Sequence, residues 1–359
     1  MSNEIPSFHL PDTMADWDWP RTVNPYYEEV QKESNTWFLS FKAFSTKSQY
    51  AFDKCNFALL AALVYPNASK EHLRTGCDLM SFLFAIDEYT DMEPEHVVCE
   101  LTNIVIDATR NPQKPRPTGE VALGEVARQF WALATKTASP SSQRHMLEAL
   151  IPYLNSLVEQ ARGRVTGPYP SVSVYLGSRR LNVGTQPSFV PLGLGMDMID
   201  EVFYHPVMVE LTGYITDLVI LDNDLVSYNK EQAIGDDHDN ILTVVMNEYN
   251  VDLQGAIQWA VSYHSEVKMK FLEGLDRVPS WDPDMDRQVR QYLHGLANWA
   301  RGNHCWSFEG GRYFGDKGLG YQKSRVIPLL PKGISFRNDT SCRRENVVVP
   351  LIEALEAKI

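Results

Sequence analysis

The chain has 359 residues and a net charge of −13, from 33 Lys and Arg against 46 Asp and Glu. Hydrophobic residues make up 44% and charged ones 22%, which supplies a large core and excludes a disordered chain. The acidic balance repels phosphate backbones and anionic lipid, so neither nucleic acid nor a membrane surface is an expected partner. A polyanionic ligand would have to be held locally, or through a cation.

The residues before about Asn24 are rich in Pro and Trp and predict an arm laid on the surface. Apolar residues then recur at helical spacing over Phe52–Val64 and Leu73–Ile86. The same period runs through Val121–Thr135, Arg144–Ala161, Pro206–Glu231, Ile241–Leu275 and Met285–Trp306. Prolines exclude a helix over Asn111–Pro117, and only Ser171–Tyr175 alternates like a strand. After Lys332 the composition is mixed and ends in a short amphipathic piece. The expected organisation is an arm (1–23), one all-α helical bundle (24–331) and a tail (332–359). Cys55, Cys77, Cys99, Cys305 and Cys342 are scattered without a C-x-x-C pair, so reduced and mostly buried thiols are expected. Met1–Pro6 lacks the basic and apolar regions of a signal peptide, and the longest apolar run, Phe57–Tyr65, is far below the roughly 20 residues of a span. A soluble cytoplasmic protein is predicted.

Two acidic motifs carry chemistry. Asp87-Glu88-Tyr89-Thr90-Asp91 closes an apolar helix, and Asp87 and Asp91 are four apart, so both carboxylates share one face. Like charges at that spacing repel; a hard divalent cation would offset the repulsion, and a solvated helix end is the plainer alternative. In Asn223-Asp224-Leu225-Val226-Ser227-Tyr228-Asn229-Lys230-Glu231, the side chains of Asn223, Ser227 and Glu231 fall at about 0°, 40° and 80° around a helix. An amide oxygen, a hydroxyl and a carboxylate on one stripe suit Mg²⁺. Asp222, Asp224 and Lys230 suggest that part of this helix faces water. Two other acidic runs are set aside as metal sites. Asp239 or Asn240 is expected to cap the helix beginning at Ile241, and Asp282–Asp286 fails as a calcium loop because Arg287 and Leu293 stand where Gly and Glu are required.

Taken together, the motifs resemble those of the class I terpene synthases, specifically the fungal sesquiterpene cyclases. Asp87-Glu88-Tyr89-Thr90-Asp91 resembles the D-(D/E)-x-x-D motif, and Asn223, Asp224, Ser227 and Glu231 match N-D-x-x-S-x-x-x-E. The pyrophosphate-sensing arginine and the effector glycine four residues on resemble Arg180 and Gly184, with Arg179 as a rival; the C-terminal Arg-Tyr pair resembles Arg312-Tyr313. Segments such as Asn24-Pro25-Tyr26-Tyr27 and Lys114-Pro115-Arg116-Pro117 are similar to basidiomycete cyclases that form Δ6-protoilludene.

The resemblance implies a single-domain helical fold around an apolar cavity and a lyase of isoprenoid secondary metabolism, active as a monomer or homodimer. It implies three Mg²⁺ ions, two on the side of Asp87 and Asp91 and one on Asn223, Ser227 and Glu231. The implied substrate is (2E,6E)-farnesyl diphosphate, whose diphosphate would take donors from Arg180, Lys230, Arg312 and Tyr313. Phe84 and Trp306 are candidate pocket walls beside Gly184, although core packing accounts for either aromatic equally well. The implied reaction is 1,11 closure to a humulyl cation and on to Δ6-protoilludene; 1,10 closure through nerolidyl diphosphate to a cadinane is the alternative. A trans-prenyltransferase and a catalytically dead helical binding protein are the other classes kept open.

Overall fold

The computed structural model describes residues 6–163, 169–333, 347–349 and 351–356, so Cys342 lies outside the described residues. The described chain opens with strand β1 (Ser7–His9), followed by helices α1 (Tyr27–Ser40), α2 (Thr46–Lys54) and α3 (Phe57–Val64). The period over Phe52–Val64 predicts one helix, but Asn56 interrupts it in the left-handed region at φ 51°. Its side chain then caps α3 by accepting from the Leu59 amide. Asparagine tolerates that backbone and supplies the cap oxygen. Every residue of α3 is buried, so its sequence has no polar face to mark its limits.

Helix α4 (Lys70–Thr90) starts on the Ser69 cap and carries the first acidic motif at its end. Helices α5 (Glu95–Arg110) and α6 (Ala122–Ala134) pack against it, and α5 packs in turn against both α6 and α7 (Pro140–Gly163). The strand-like alternation at Ser171, too short to count as a strand, falls at a helix start. There the Ser171 hydroxyl caps α8 (Val172–Asn182) by accepting from the Val174 amide. After the short α9 (Thr185–Phe189) and α10 (Asp200–Phe203) comes α11 (Pro206–Ile234). Residues 241–275, one element by periodicity, form α12 (Ile241–Tyr249) and α13 (Leu253–Leu275), parted at Asn250 with φ 52°. Asn240 caps α12, and Asp282 caps α14 (Pro283–Glu309) by accepting from the amides of Asp284 and Met285. The chain continues through α15 (Gly311–Phe314), α16 (Gly318–Ser324), β2 (Val326–Pro328) and α17 (Ile352–Glu356).

Helix α11 lies at the centre, packed against α13 and α14, while α14 packs on α3 and α3 on α4. Asp222, Asp224 and Lys230 are all buried, contrary to the outward face their charges suggest. The two carboxylates have partners inside: Asp222 accepts from Thr13 at 2.7 Å and Asp224 accepts from the Ile241 amide at 2.9 Å, while Lys230 lines a cavity. Buried charge is retained where such partners exist.

The arm is more than a surface covering. β1 pairs antiparallel with β2, with Phe8 opposite Ile327. Met14 and Trp17 are buried, the Trp17 indole donates to the Ala297 carbonyl at 3.0 Å, and Arg301 donates to the carbonyls of Met14, Trp17 and Trp19. Among the described residues Cys55, Cys77 and Cys305 are buried and Cys99 is exposed. No helix among them is long and apolar enough to cross a membrane.

Candidate active site

A cavity opens between α3, α4, α7, α8, α11 and α14, with charge at its mouth and hydrocarbon at its floor. From α4 it receives Asp91, Asp87 and Phe84 and then, deeper, Leu83 and Met80; from α11 it receives Glu231, Ser227, Asn223 and Val219. Both sets step along one face at helical spacing, so each helix runs from polar to apolar as it descends. Lys230, Arg312, Tyr313, Gly184 and Trp306 line the same cavity. The expected residues therefore converge, with one exception.

That exception is Arg180. Its guanidinium lies away from the cavity in a two-pronged pair with Asp217, at 2.6 and 2.7 Å. Asp217 is buried within the apolar run of α11 and requires a cation. Neighbouring helical residues diverge by about 100°, so the cavity takes Arg179. Spacing to Gly184 favours Arg180, but the buried Asp217 claims it. Arg179 donates to Asn223 Oδ1 at 3.1 Å and stands 3.6 Å from Asp224 Oδ1, and its Nε–H is buried without an acceptor. That spare donor suits an anionic ligand. Gly184 follows the end of α8 at φ 76°, a conformation that favours glycine.

The mouth is a web of opposed charges. Arg312 donates to Asp87 at 3.1 Å and to Glu88 at 2.9 Å, and Asn223 Nδ2 donates to the Tyr313 hydroxyl at 2.8 Å. Burial works against the charge on Arg312, yet Glu88 and its other neighbours raise its pKa well above the usual value. Burial, and then Arg312, lower that of Lys230. Burial, followed by the nearby Asp224, pushes Glu231 up to about 7 although Asn240 donates to it at 2.9 Å. Burial also raises the Tyr313 phenol to about 12. The second motif position, Asp224, turns away from the cavity and takes donors from Tyr175 and the Ile241 amide, anchoring the start of α12.

The metal question turns on donor chemistry. Among the described residues no three His, Cys, Asp or Glu side chains gather as a ready cage. Asn223, Ser227 and Glu231 instead offer three different oxygens on one side of the cavity, facing two carboxylates on the other. Such a sparse all-oxygen set fits a hard cation that shares its remaining positions with an anionic ligand.

Below the charges the wall is aromatic. Phe84 stacks on Phe57 with centroids 4.0 Å apart and lies 5.6 Å from Trp306, while the Arg312 guanidinium sits 4.9 Å from the Phe84 ring. The Trp306 indole donates to the Cys55 carbonyl at 2.8 Å, which fixes the ring. Trp299, Asn303 and Tyr153 also line the cavity. Trp299, Asn303 and Trp306 recur at i, i+4 and i+7, a stripe legible in the sequence. Tyr153 carries no comparable signal.

A family model described as "Terpene synthase family 2, C-terminal metal binding" matches residues 78–269, which include both acidic motifs. A protein named Delta(6)-protoilludene synthase 18, from Postia placenta, is 56% identical over 97% of this chain and 99% of its own length. Sesquiterpene synthase 14 of the same organism is 54% identical over 98% of this chain and 100% of its own. Among solved structures, an α-eudesmol synthase superposes with a TM-score of 0.74 at 19% identity, covering 82% of this chain and 99% of that one; at this identity the likeness concerns the fold.

Proposed function

The chain belongs to the fungal class I sesquiterpene synthases, and from that premise we propose that it cyclises (2E,6E)-farnesyl diphosphate with release of diphosphate. The observation that carries the reading is the meeting of Asp87 and Asp91 with Asn223, Ser227 and Glu231 at the charged mouth of an apolar cavity. Three Mg²⁺ ions bound there would neutralise the diphosphate and make it a better leaving group. Arg179, Lys230 and Arg312 supply cationic donors for its oxygens, and the planar guanidinium forks suit paired oxygens. The Tyr313 hydroxyl, already accepting from Asn223, has its own proton to donate.

Departure of diphosphate leaves an allyl cation that must stay folded and dry. Leu60, Met80, Leu83 and Val219 exclude water around it. The face of Trp306 would contribute about 0.5–2 kcal/mol of cation–π stabilisation to charge passing above it, while Phe84, stacked on Phe57 and covered by the Arg312 guanidinium, shapes the wall. Because the Trp306 ring is tied to Cys55, that stabilisation has a set position.

The finer reading is direct 1,11 closure to a humulyl cation, continuing to Δ6-protoilludene. It rests on the high identity to a relative bearing that name. Gas chromatography–mass spectrometry of purified protein with farnesyl diphosphate and Mg²⁺ tests both levels. Δ6-protoilludene as the main product is expected, a dominant cadinane would reject the 1,11 route, and chain-lengthened prenyl diphosphates would reject the cyclase.

A further inference from the structure

A second cavity lies behind the first, and Tyr153 is the one residue that lines both. The two are of similar size, about 190 Å³ for the first and 210 Å³ for the second. For scale, a cavity of about 150 Å³ takes benzene, so a hydrocarbon larger than that would fill this space and extend into its open rim. The second cavity reaches the surface at an apolar rim formed by Leu181, Tyr204 and Val209, each about half exposed. Two of its polar groups are already committed to protein partners: the Tyr204 hydroxyl donates to Glu148, and His145 is bonded to Asp200 while its ring stacks on Phe203 at 3.9 Å.

The partition includes Tyr153, at an irregularity in the hydrogen bonding of α7. Pro152 stands inside α7 just before Tyr153, and its missing N–H leaves the turn one helical hydrogen bond short. Across from it a side chain carbon added at Gly184 would meet the Tyr153 ring at 3.5 Å, so the ring abuts the break after α8. The front mouth is the opposite kind of opening, ringed by Asp87, Asp91, Arg179, Lys230, Glu231 and Arg312. A neutral hydrocarbon leaving that way would pass charged groups and the diphosphate they hold.

We propose that the second cavity is a binding site for a neutral C15 hydrocarbon, the cyclised product, reached from the reaction cavity past Tyr153. The proposal rests on the cyclase reading for the identity of its ligand. It makes the protein two-ended: diphosphate enters and leaves at the polar mouth, and hydrocarbon leaves at the apolar rim.

The test uses the purified full chain with saturating Mg²⁺ and inorganic diphosphate and, as probe, an α-humulene bearing a diazirine. Photolysis is expected to label peptides carrying Ala149 or Val209. Labelling confined to Met80, Leu83 or Trp299, or no labelling at all, overturns the site. Ala149→Phe and Val209→Phe, which narrow the second cavity, should lower steady-state turnover about fivefold while the single-turnover rate stays unchanged, the mark of impeded release. Val209 is at the exposed rim, so that variant remains informative if Ala149→Phe fails to fold. Unchanged steady-state turnover in the folded variants overturns the exit role. Failure to convert farnesyl diphosphate would instead reject the cyclase, and the photolabelling would still report on the cavity.

Discussion

Arg312 donates to Asp87 Oδ2 at 3.1 Å, joining α15 to the end of α4 across 225 positions of sequence. The residue proposed to grip diphosphate thus already holds a residue proposed to ligate metal. On the proposed reading, loading the site would turn Asp87 from guanidinium to cation and Arg312 from carboxylate to phosphate oxygen. The pair keeps the largely buried Arg312 guanidinium partnered, where a lone buried charge would be costly.

Turnover should require a divalent cation and vanish in excess EDTA. Asp87→Ala or Asn223→Ala should each lower kcat/KM at least ~10²-fold, or ~2.7 kcal/mol of transition-state stabilisation. Steady-state kinetics decide this, and wild-type activity in either variant would mean that its metal site is misassigned.

Arg312→Lys tests the fork. An ammonium carries the charge but cannot serve Asp87, Glu88 and a phosphate with the planar geometry of the present contacts. A loss of about tenfold or more in kcat/KM is expected. Kinetics matching wild type would remove Arg312 from the diphosphate shell.

The two adjacent arginines should separate cleanly. Arg179→Ala should cost activity at least about 10²-fold, with some loss of stability because Arg179 also stands beside the buried Asp224. Arg180→Ala should retain most activity but lose stability by about 1–3 kcal/mol, because Asp217 is left buried without its cation. Thermal melts and kinetics on both variants check the assignment, and the reverse pattern would restore Arg180 to the cavity.

Glu231 should give the metal-free protein an unusual pH dependence. Its folded pKa of about 7 lies above the ordinary 4.5, so between those values the folded state holds a proton that the unfolded state has lost. Stability therefore falls as pH rises through that window, and Glu231→Gln should remove this part of the slope. Melts in EDTA from pH 4.5 to 7.5 measure it. Metal affinity should move the other way, weakening as pH drops below about 7 and the carboxylate takes up its proton. Identical slopes in variant and wild type would contradict the assignment.

Phe84→Ala should change the ratio of products more than it changes metal dependence. The ring stands between the Arg312 guanidinium and the apolar floor, where it shapes the chain without supplying a metal ligand. Product profiles at several Mg²⁺ concentrations compare the two effects. A constant profile with a shifted Mg²⁺ requirement would argue against a wall role.

The faces that meet at the cavity are legible because helical spacing alone sets which of residues 87, 91, 223, 227 and 231 share a side. The cavity arginine is not, since a pair of neighbours offers both faces and the choice depends on Asp217, 37 positions away. Periodicity likewise overran two breaks, at Asn56 and Asn250, where left-handed asparagines end one helix and the next begins within a few residues. It also misjudged α11. Charged side chains read as an outer face, but in this helix Asp222 and Asp224 find partners from Thr13, Tyr175 and the start of α12.

The anchored arm bears on how the protein is made. Met14, Trp17 and Trp19 leave the ribosome early, yet the Arg301 guanidinium that binds their carbonyls is synthesised about 280 residues later. At roughly 5–20 residues per second that is a wait of roughly 15–60 s with two tryptophans and a methionine unsheltered. β1 waits longer still, for Val326–Pro328. Docking of the arm therefore waits for α14 and β2, and during the interval the nascent chain presents an apolar segment of the sort that chaperones bind.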